Sequence, residues 1–281
     1  MSLFIASLNS GSNGNCYYIG NNNEAIFVDA GISCRETERR MKRLGLPINR
    51  IKAIFISHEH DDHIKGVETL SQKHQIPVYI TQDTLSGSGL KLKKQFVFPF
   101  EKFKPIHIGE LTVTAFPKFH DAKNPHSFFI ICNKVHIGVF TDIGFACKEV
   151  IKYFKQCHAA FLESNYDEHL LMTGSYPVHL KNRIRNGQGH LSNLQALELF
   201  KKHKPRYMTH LFLSHLSHNN NSPELVSDLF KKYAGTTEII IASRRNETAV
   251  YPISGGNLRS GSVYITTSDK EKPVQLSLFN H

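Results

Sequence analysis

The sequence predicts an α/β fold, and three observations carry that expectation. Short apolar runs alternate with longer amphipathic stretches along the 281 residues. Several of those apolar runs exit into an acid or a histidine. With 40% hydrophobic and 21% charged residues the composition is that of a folded chain, long enough for one large domain or two small ones.

Residues 3–8, 16–19 and 25–29 read as opening strands. The loop at 9–15, rich in Gly, Ser and Asn, can turn N–H groups toward a phosphate, and its plainer reading is a tight turn. Ser33 with Glu36 reads as a capping box opening a helix to Leu44, with Pro47 beyond it. Residues 53–57 form a buried strand, and a helix is expected over 62–74. A strand at 78–81, a short helix at 83–90 and strands at 96–100 and 111–116 follow. Residues 128–132 and 136–140 make a hairpin turning at Asn133-Lys134. A helix at 147–156 leads to a strand at 159–163. The 192–203 helix should face Leu194, Leu197, Leu199 and Phe200 inward. A strand at 207–213, a helix from Ser222-Pro223 to Tyr233, and strands at 238–241 and 248–251 close the fold. Residues 1–253 then form the folded domain, and 254–281 a polar, flexible tail.

A net charge of +10 suits a polyanion such as nucleic acid, although a basic protein need not bind one. The N-terminus lacks a basic segment followed by a long apolar core, so neither a signal peptide nor a membrane span is expected. Five cysteines, an odd number with no C-x-x-C pair, read as reduced core thiols of a cytoplasmic protein.

The chemistry concentrates in His58-Glu59-His60-Asp61-Asp62-His63. His58 and His60 are two apart, so extended backbone points both to one face and one ion. Asp62 and His63 open the next helix, point elsewhere, and suit a second ion. A histidine-rich surface loop is the alternative. Further candidates lie at strand exits: Asp29, His120, Asp142 and His215. His120 is preferred to His126 because it precedes Asp121 just past a strand. His215 is preferred to His210 and His218 because it stands at the strand exit.

The order of these residues resembles the metallo-β-lactamase superfamily: an acid, H-x-H-x-D-H, a histidine, an acid and a final histidine. That resemblance covers the chain up to about residue 253 and implies a four-layer αββα sandwich with metals at one edge. It implies two divalent ions, zinc or manganese. His58, His60 and His120 hold the first, Asp62, His63 and His215 the second, and Asp142 bridges them. Asp29 supports the site from behind, orienting a ligand histidine or the loop. Two metals about 3.5–4 Å apart can activate a water and stabilise a leaving oxygen.

Glu163 in Glu163-Ser164-Asn165 and His190 in Gly189-His190-Leu191-Ser192-Asn193 resemble the Glu–His pair of the RNase Z and β-CASP nuclease branches. His190 is then the candidate acid and Glu163 its orienting partner. Fewer than about 30 residues separate the two, too few for a β-CASP domain. The whole order resembles the compact bacterial WalJ (YycJ) group, which implies 5′-to-3′ exonuclease activity on DNA in repair or replication. Ser12, Asn13, Asn165, Lys181 and Arg183 are candidate substrate contacts, the last two on a basic stretch that also reads as a solvated helix. Within the tail, Gln275, Leu276, Ser277, Leu278 and Phe279 are similar to the bacterial sliding-clamp-binding motif. Three other readings stay open: an RNA-processing nuclease, a hydrolase of small thioesters, lactones or cyclic phosphodiesters, and a partner-binding protein without catalysis.

Overall fold

The computed structural model describes residues 2–255, so the tail motif Gln275, Leu276, Leu278 and Phe279 lies outside the described residues. Among the described residues, fourteen strands form two seven-stranded sheets. The first sheet contains β1 (Leu3–Asn9), β2 (Cys16–Gly20), β3 (Ala25–Val28), β4 (Ile51–Phe55), β5 (Val78–Tyr79) and β6 (Val97–Phe98). The second contains β7 (Pro105–Ile108), β8 (Leu111–Pro117), β9 (His126–Cys132), β10 (Val135–Phe140), β11 (Ala159–Glu163), β12 (His210–Ser214) and β13 (Glu238–Ile241). The last strand, β14 (Tyr251–Ile253), returns to pair antiparallel with β1. Helices α1 (Cys34–Arg43), α2 (Asp61–Ile64), α3 (Val67–His74) and α4 (Gln82–Ser88) follow strands of the first sheet. Helices α5 (Lys148–Phe154), α6 (Glu168–Thr173), α7 (Val178–Arg185), α8 (Asn193–His203) and α9 (Pro223–Lys231) belong to the second half.

Side-chain alternation builds four layers from these elements. Ile5 on β1 and Val113 and Phe161 on the second sheet meet in a core between the sheets. Leu8 and Phe27 point the other way, against Met41 of α1 and Leu70 of α3. Leu162 and Leu213 likewise face Phe154 of α5, Phe200 of α8 and Phe230 of α9. The result is the αββα sandwich the sequence implied. All five cysteines are buried free thiols. Among the described residues, no helix is long and apolar enough to cross a membrane.

Parallel pairing decides where the site falls. β3 runs parallel to β4, and β10, β11 and β12 run parallel in register. Their carboxyl ends therefore open at one edge of the sandwich. Asp29, Ser57-His58, Asp142, Glu163 and His215 all sit there, just at or beyond strand ends. Crevices outside strand carboxyl ends are where α/β sheets place ligands.

Several expectations are corrected. The 62–74 helix is two helices, because Gly66 leaves the helical course to donate its N–H to the Ala30 carbonyl at 2.8 Å. At Ser33 only half of a capping box forms: its side chain accepts from the Glu36 N–H, but Glu36 pairs with Arg39 and Arg40. The complete box is at Ser192 and Gln195, opening α8. Leu194 faces solvent, while Ala196 takes a buried place on that helix. The last strand lies at β14 rather than 248–251, because Thr248 pairs with Ser7 through both its hydroxyl and its N–H. β12 starts three residues later than expected, after a turn closed by Met208 N–H on Pro205. β7 went unread because it is a largely exposed edge strand opened by proline.

One close approach locks the first ligand loop. A Cβ on Gly31 would lie 1.7 Å from the Asp62 carbonyl oxygen. The Asn15 N–H donates to that same oxygen at 2.7 Å, and Ala30 N–H donates to the His63 carbonyl at 2.8 Å. Gly31→Ala must therefore push α2 away. It is expected to lower stability by about 1–3 kcal/mol in a urea titration. Unchanged stability would show that α2 is not clamped there.

Candidate metal centre and active site

The histidine loop leaves β4 and starts α2, with His60 as the residue preceding the helix. His58 Nδ1–H donates to Ser57 Oγ at 2.9 Å, and Ser57 Oγ–H donates to Asp29 Oδ2 at 2.8 Å. This chain of bonds leaves the His58 Nε2 lone pair facing the edge. His120, past the end of β8, donates Nδ1–H to the Gly189 carbonyl at 2.9 Å, so its Nε2 is likewise left as an acceptor. His60 Nδ1 lies 3.0 Å from His58 Nε2 and 3.3 Å from His120 Nε2. Three imidazole nitrogens converge on one point.

A second cluster stands beside the first. His63 Nδ1–H donates to Asp29 Oδ2 at 2.7 Å, which turns Nε2 toward Asp142 Oδ2 at 3.1 Å and Asp62 Oδ2 at 3.5 Å. His215 Nε2 approaches Asp62 Oδ2 at 3.4 Å. Asp142 lies between the clusters, with Oδ1 3.3 Å from His215 Nδ1 and 3.9 Å from His120 Nε2. Asp29, Asp142 and His215 all take the left-handed backbone region, with φ of 59°, 52° and 57°. Non-glycine residues held there store strain of order 1–3 kcal/mol each, characteristic of functional sites.

The donor set fits divalent ions. Asp142 Oδ2 and His215 Nε2 are buried without a hydrogen-bond partner, which is costly unless a cation meets them. His58, His60 and His120 form one group of mutually close ligand atoms, and Asp62, His63 and His215 another. Imidazole with carboxylate is a ligand mixture for zinc or manganese.

Charge balance follows from the burial. Burial, with His63 and Lys118 nearby, holds the His58 imidazole far below its usual pKa. Burial likewise lowers His120 to about 4. At His215 burial opposes charge, but the neighbouring carboxylates of Asp142, Asp62 and Glu163 outweigh it and raise the pKa to about 10. At His63 burial is again overcome, by Asp142, Asp29 and Asp62, and the shift is upward. Lys118, buried and lowered by that burial, donates to the Thr141 carbonyl at 2.8 Å, directly before Asp142.

Glu163 joins metal centre and cavity. Its Oε1 accepts from His190 Nδ1–H at 2.7 Å and His215 Nδ1–H at 3.0 Å. Its Oε2 accepts from the N–H groups of Ile143 and Leu191. Attraction from His190 outweighs burial and keeps its carboxyl below the usual range. His190 is thereby oriented with Nε2 available to a substrate. It lines a cavity of about 210 Å³ with Ser12, Asn165, Tyr176, Arg183, His215 and Ser217.

The other sequence candidates fall at varying distances from this cavity. Asn165 donates to the His215 carbonyl at 2.7 Å and so also braces a ligand. Arg183 is paired with Asp121. Asn13 donates to the Arg244 carbonyl at 2.8 Å, and Lys181 to the Met172 carbonyl at 2.8 Å; neither lines the cavity. His126 bonds the Asn124 carbonyl and His210 the Thr209 hydroxyl, outside the clusters. Sequence reasoning missed Asn15, whose amide lies 3.1 Å from both Asp62 Oδ2 and His63 Nε2. It also missed Ser57, Ser10, which accepts from His215 N–H at 2.7 Å, and Lys118. The Asn-rich loop offered a signal for Asn15; nothing local marked Lys118.

Comparisons with known proteins agree with this geometry. Residues 24–215 match the Beta-lactamase superfamily domain. The chain is 33% identical over 230 residues to Exodeoxyribonuclease YycJ of Bacillus anthracis, covering 80% of this chain and 86% of the relative. It is 30% identical over 223 residues to Exodeoxyribonuclease WalJ of Streptococcus pneumoniae, covering 78% and 83%. Its fold is shared with the metallo-beta-lactamase fold protein YhfI from Bacillus subtilis, at a TM-score of 0.71 and 15% identity over 90% of this chain and all of the other.

Metal ligation requires neutral imidazole. With His215 raised to about 10 and His63 shifted upward by the same carboxylates, the protonated form of both rings is favoured before metal arrives. Metal loading should therefore release protons, and affinity should climb as pH rises from 6 to 8 (roughly one logarithmic unit per pH unit for each proton released). Calorimetric titration in two buffers of different ionisation enthalpy measures this. Binding without proton release would show that these rings are not ligands.

Proposed function

The chain belongs to the beta-lactamase superfamily, and we propose that it is a two-metal phosphodiesterase removing nucleotides from DNA in the 5′-to-3′ direction. The observation that carries this reading is the pairing of two converging ligand clusters with a Glu163–His190 pair at the cavity wall. His58, His60 and His120 would hold one ion, Asp62, His63 and His215 the other, with Asp142 between them. Bound there, zinc or manganese supplies an activated water and positive charge for the phosphoryl oxygens.

The chain's own residues do the rest. Asp29 fixes the tautomer of His63, and Ser57 does the same for His58. Water adds to phosphorus and the bond from phosphorus to the 3′-oxygen breaks. His190, held by Glu163, passes its Nε2 proton to the departing oxygen. Ser12, Asn165 and Arg183 line the cavity and are the groups that would meet the flanking phosphate and sugars. The cavity is smaller than the roughly 300–1,000 Å³ that engulfs a whole small ligand. A phosphodiester link with parts of its sugars suits it better. The relatives named as exodeoxyribonucleases and the charge of +10 support DNA as the polymer. Residues 1–253 are then the catalytic domain, working in the cytoplasm in DNA repair or replication. The tail carries Gln275, Leu276, Leu278 and Phe279 to a sliding clamp, Leu278 and Phe279 filling its apolar pocket.

The test is cleavage of end-labelled single- and double-stranded DNA and RNA with Mn²⁺ or Zn²⁺. Asp62→Ala should abolish cleavage with the fold retained. His190→Ala should lower kcat by about 10²–10⁴-fold while metal content stays the same. Full activity of either variant would contradict the assignment. Deleting residues 275–281 should abolish clamp capture in a pull-down without changing DNA cleavage; undiminished capture would contradict the tail's role.

A further inference from the structure

Two phenylalanines stand exposed at the metal edge. Phe119 is 48% exposed and immediately precedes the ligand His120; Phe145 is 40% exposed and follows Asp142 by three positions. Their rings lie together, with centroids 4.5 Å apart and planes tilted by 34°. Three other exposed rings rest on partners of a different kind. Phe98 stacks on the half-buried Tyr79, Tyr207 on the half-buried His158, and Tyr233 under the Lys201 ammonium. Among the described residues, Phe119 and Phe145 are the ring pair in which both members are exposed. Scattered exposed apolar residues are ordinary, but a paired aromatic surface beside a catalytic centre is not.

The pair is held by the machinery of the site. Gly144 donates its N–H to the Phe119 carbonyl at 2.7 Å, tying the two loops. Gly144 also lies against the Gly187 carbonyl, where a Cβ would come within 2.0 Å. Two residues further on, the Gly189 carbonyl holds His120, and His190 follows. The rings are thus fixed relative to both ligand and acid. Exposed lysines flank them in sequence: Lys123 after Phe119, and Lys148 after Phe145 with a side chain 88% exposed. An exposed aromatic pair on the loops of a phosphodiester centre, with lysines close in sequence, has the parts of a single-strand platform, in which bases stack and phosphates meet positive charge.

We infer that Phe119 and Phe145 form a stacking platform for an unpaired base of the strand being cut, next to the scissile phosphate. The occupant is a nucleobase because it alone in such a substrate offers a flat π face, while sugar and phosphate match the polar cavity. The base must be unpaired, since stacking beside the metals takes it out of a duplex. The platform would thereby favour single-stranded or frayed ends. This inference rests on the reading of the site as a nuclease.

The test is steady-state cleavage of a single-stranded oligonucleotide with Mn²⁺ by the full chain and by Phe119→Ala, Phe145→Ala and Phe119→Tyr. Each alanine variant should raise KM about tenfold or more, a larger change than any in kcat, with metal content unaltered. Phe119→Tyr, which keeps the ring face, should restore KM. An abasic residue walked along the first positions of the substrate should impose the same KM penalty on the unaltered protein at one position. The alanine variants should be indifferent to it there. Unchanged KM in both alanine variants would overturn the platform while leaving the nuclease reading intact. Should the variants fail to fold, the abasic series on the unaltered protein decides: no position-specific penalty overturns the inference. Failure of the unaltered protein to cut any oligonucleotide would refute the nuclease reading and the platform with it.

Discussion

The structure depends on one electrostatic constraint: buried carboxylates at one sheet edge must meet positive charge. Asp29, Asp142 and Glu163 are buried there, and Asp62 nearly so. An isolated buried carboxylate is costly, so each needs a partner. The chain supplies His63, His215, His190 and the buried Lys118. These partners still leave Asp142 Oδ2 and His215 Nε2 without hydrogen bonds. Divalent ions would meet these atoms and the lone pairs that Ser57 and the Gly189 carbonyl have oriented.

That constraint explains why so much of the fold is rigid around the site. Parallel strands deliver the acids to one edge, and left-handed backbone at Asp29, Asp142 and His215 turns each side chain inward. Gly31 allows α2 to dock against the first sheet, and Asn15 and Ser10 reach from the opening loop to fasten Asp62 and His215. The energy for holding strained, charged groups comes from the three apolar layers behind them. Stability and activity are therefore expected to trade against each other at this edge.

Much of this was legible in the sequence because it is local or ordered. H-x-H-x-D-H is contiguous, and strand exits at Asp29, Asp142 and His215 carry their own signature of an apolar run followed by a ligand type. The four-layer arrangement was legible through resemblance rather than periodicity, since β11 is buried along its whole length and shows no alternation. What was not legible depends on contacts across the chain. Gly66 breaks an otherwise helical pattern only because Ala30 lies opposite. Lys118 is unmarked in the sequence, and only the pairing of the sheet brings its ammonium to the Thr141 carbonyl beside Asp142. Leu194 reads as an inward position on its helix but proves exposed, and nothing in the sequence sets the exposed Phe119 and Phe145 apart from the many buried phenylalanines.

The central claim is that two ions, with Asp142 between them, complete this edge. Crystals grown with manganese and measured on both sides of its absorption edge test it most directly. The account predicts two anomalous peaks per chain, one among His58, His60 and His120 and one among Asp62, His63 and His215. A single peak, or none at these residues, would contradict it.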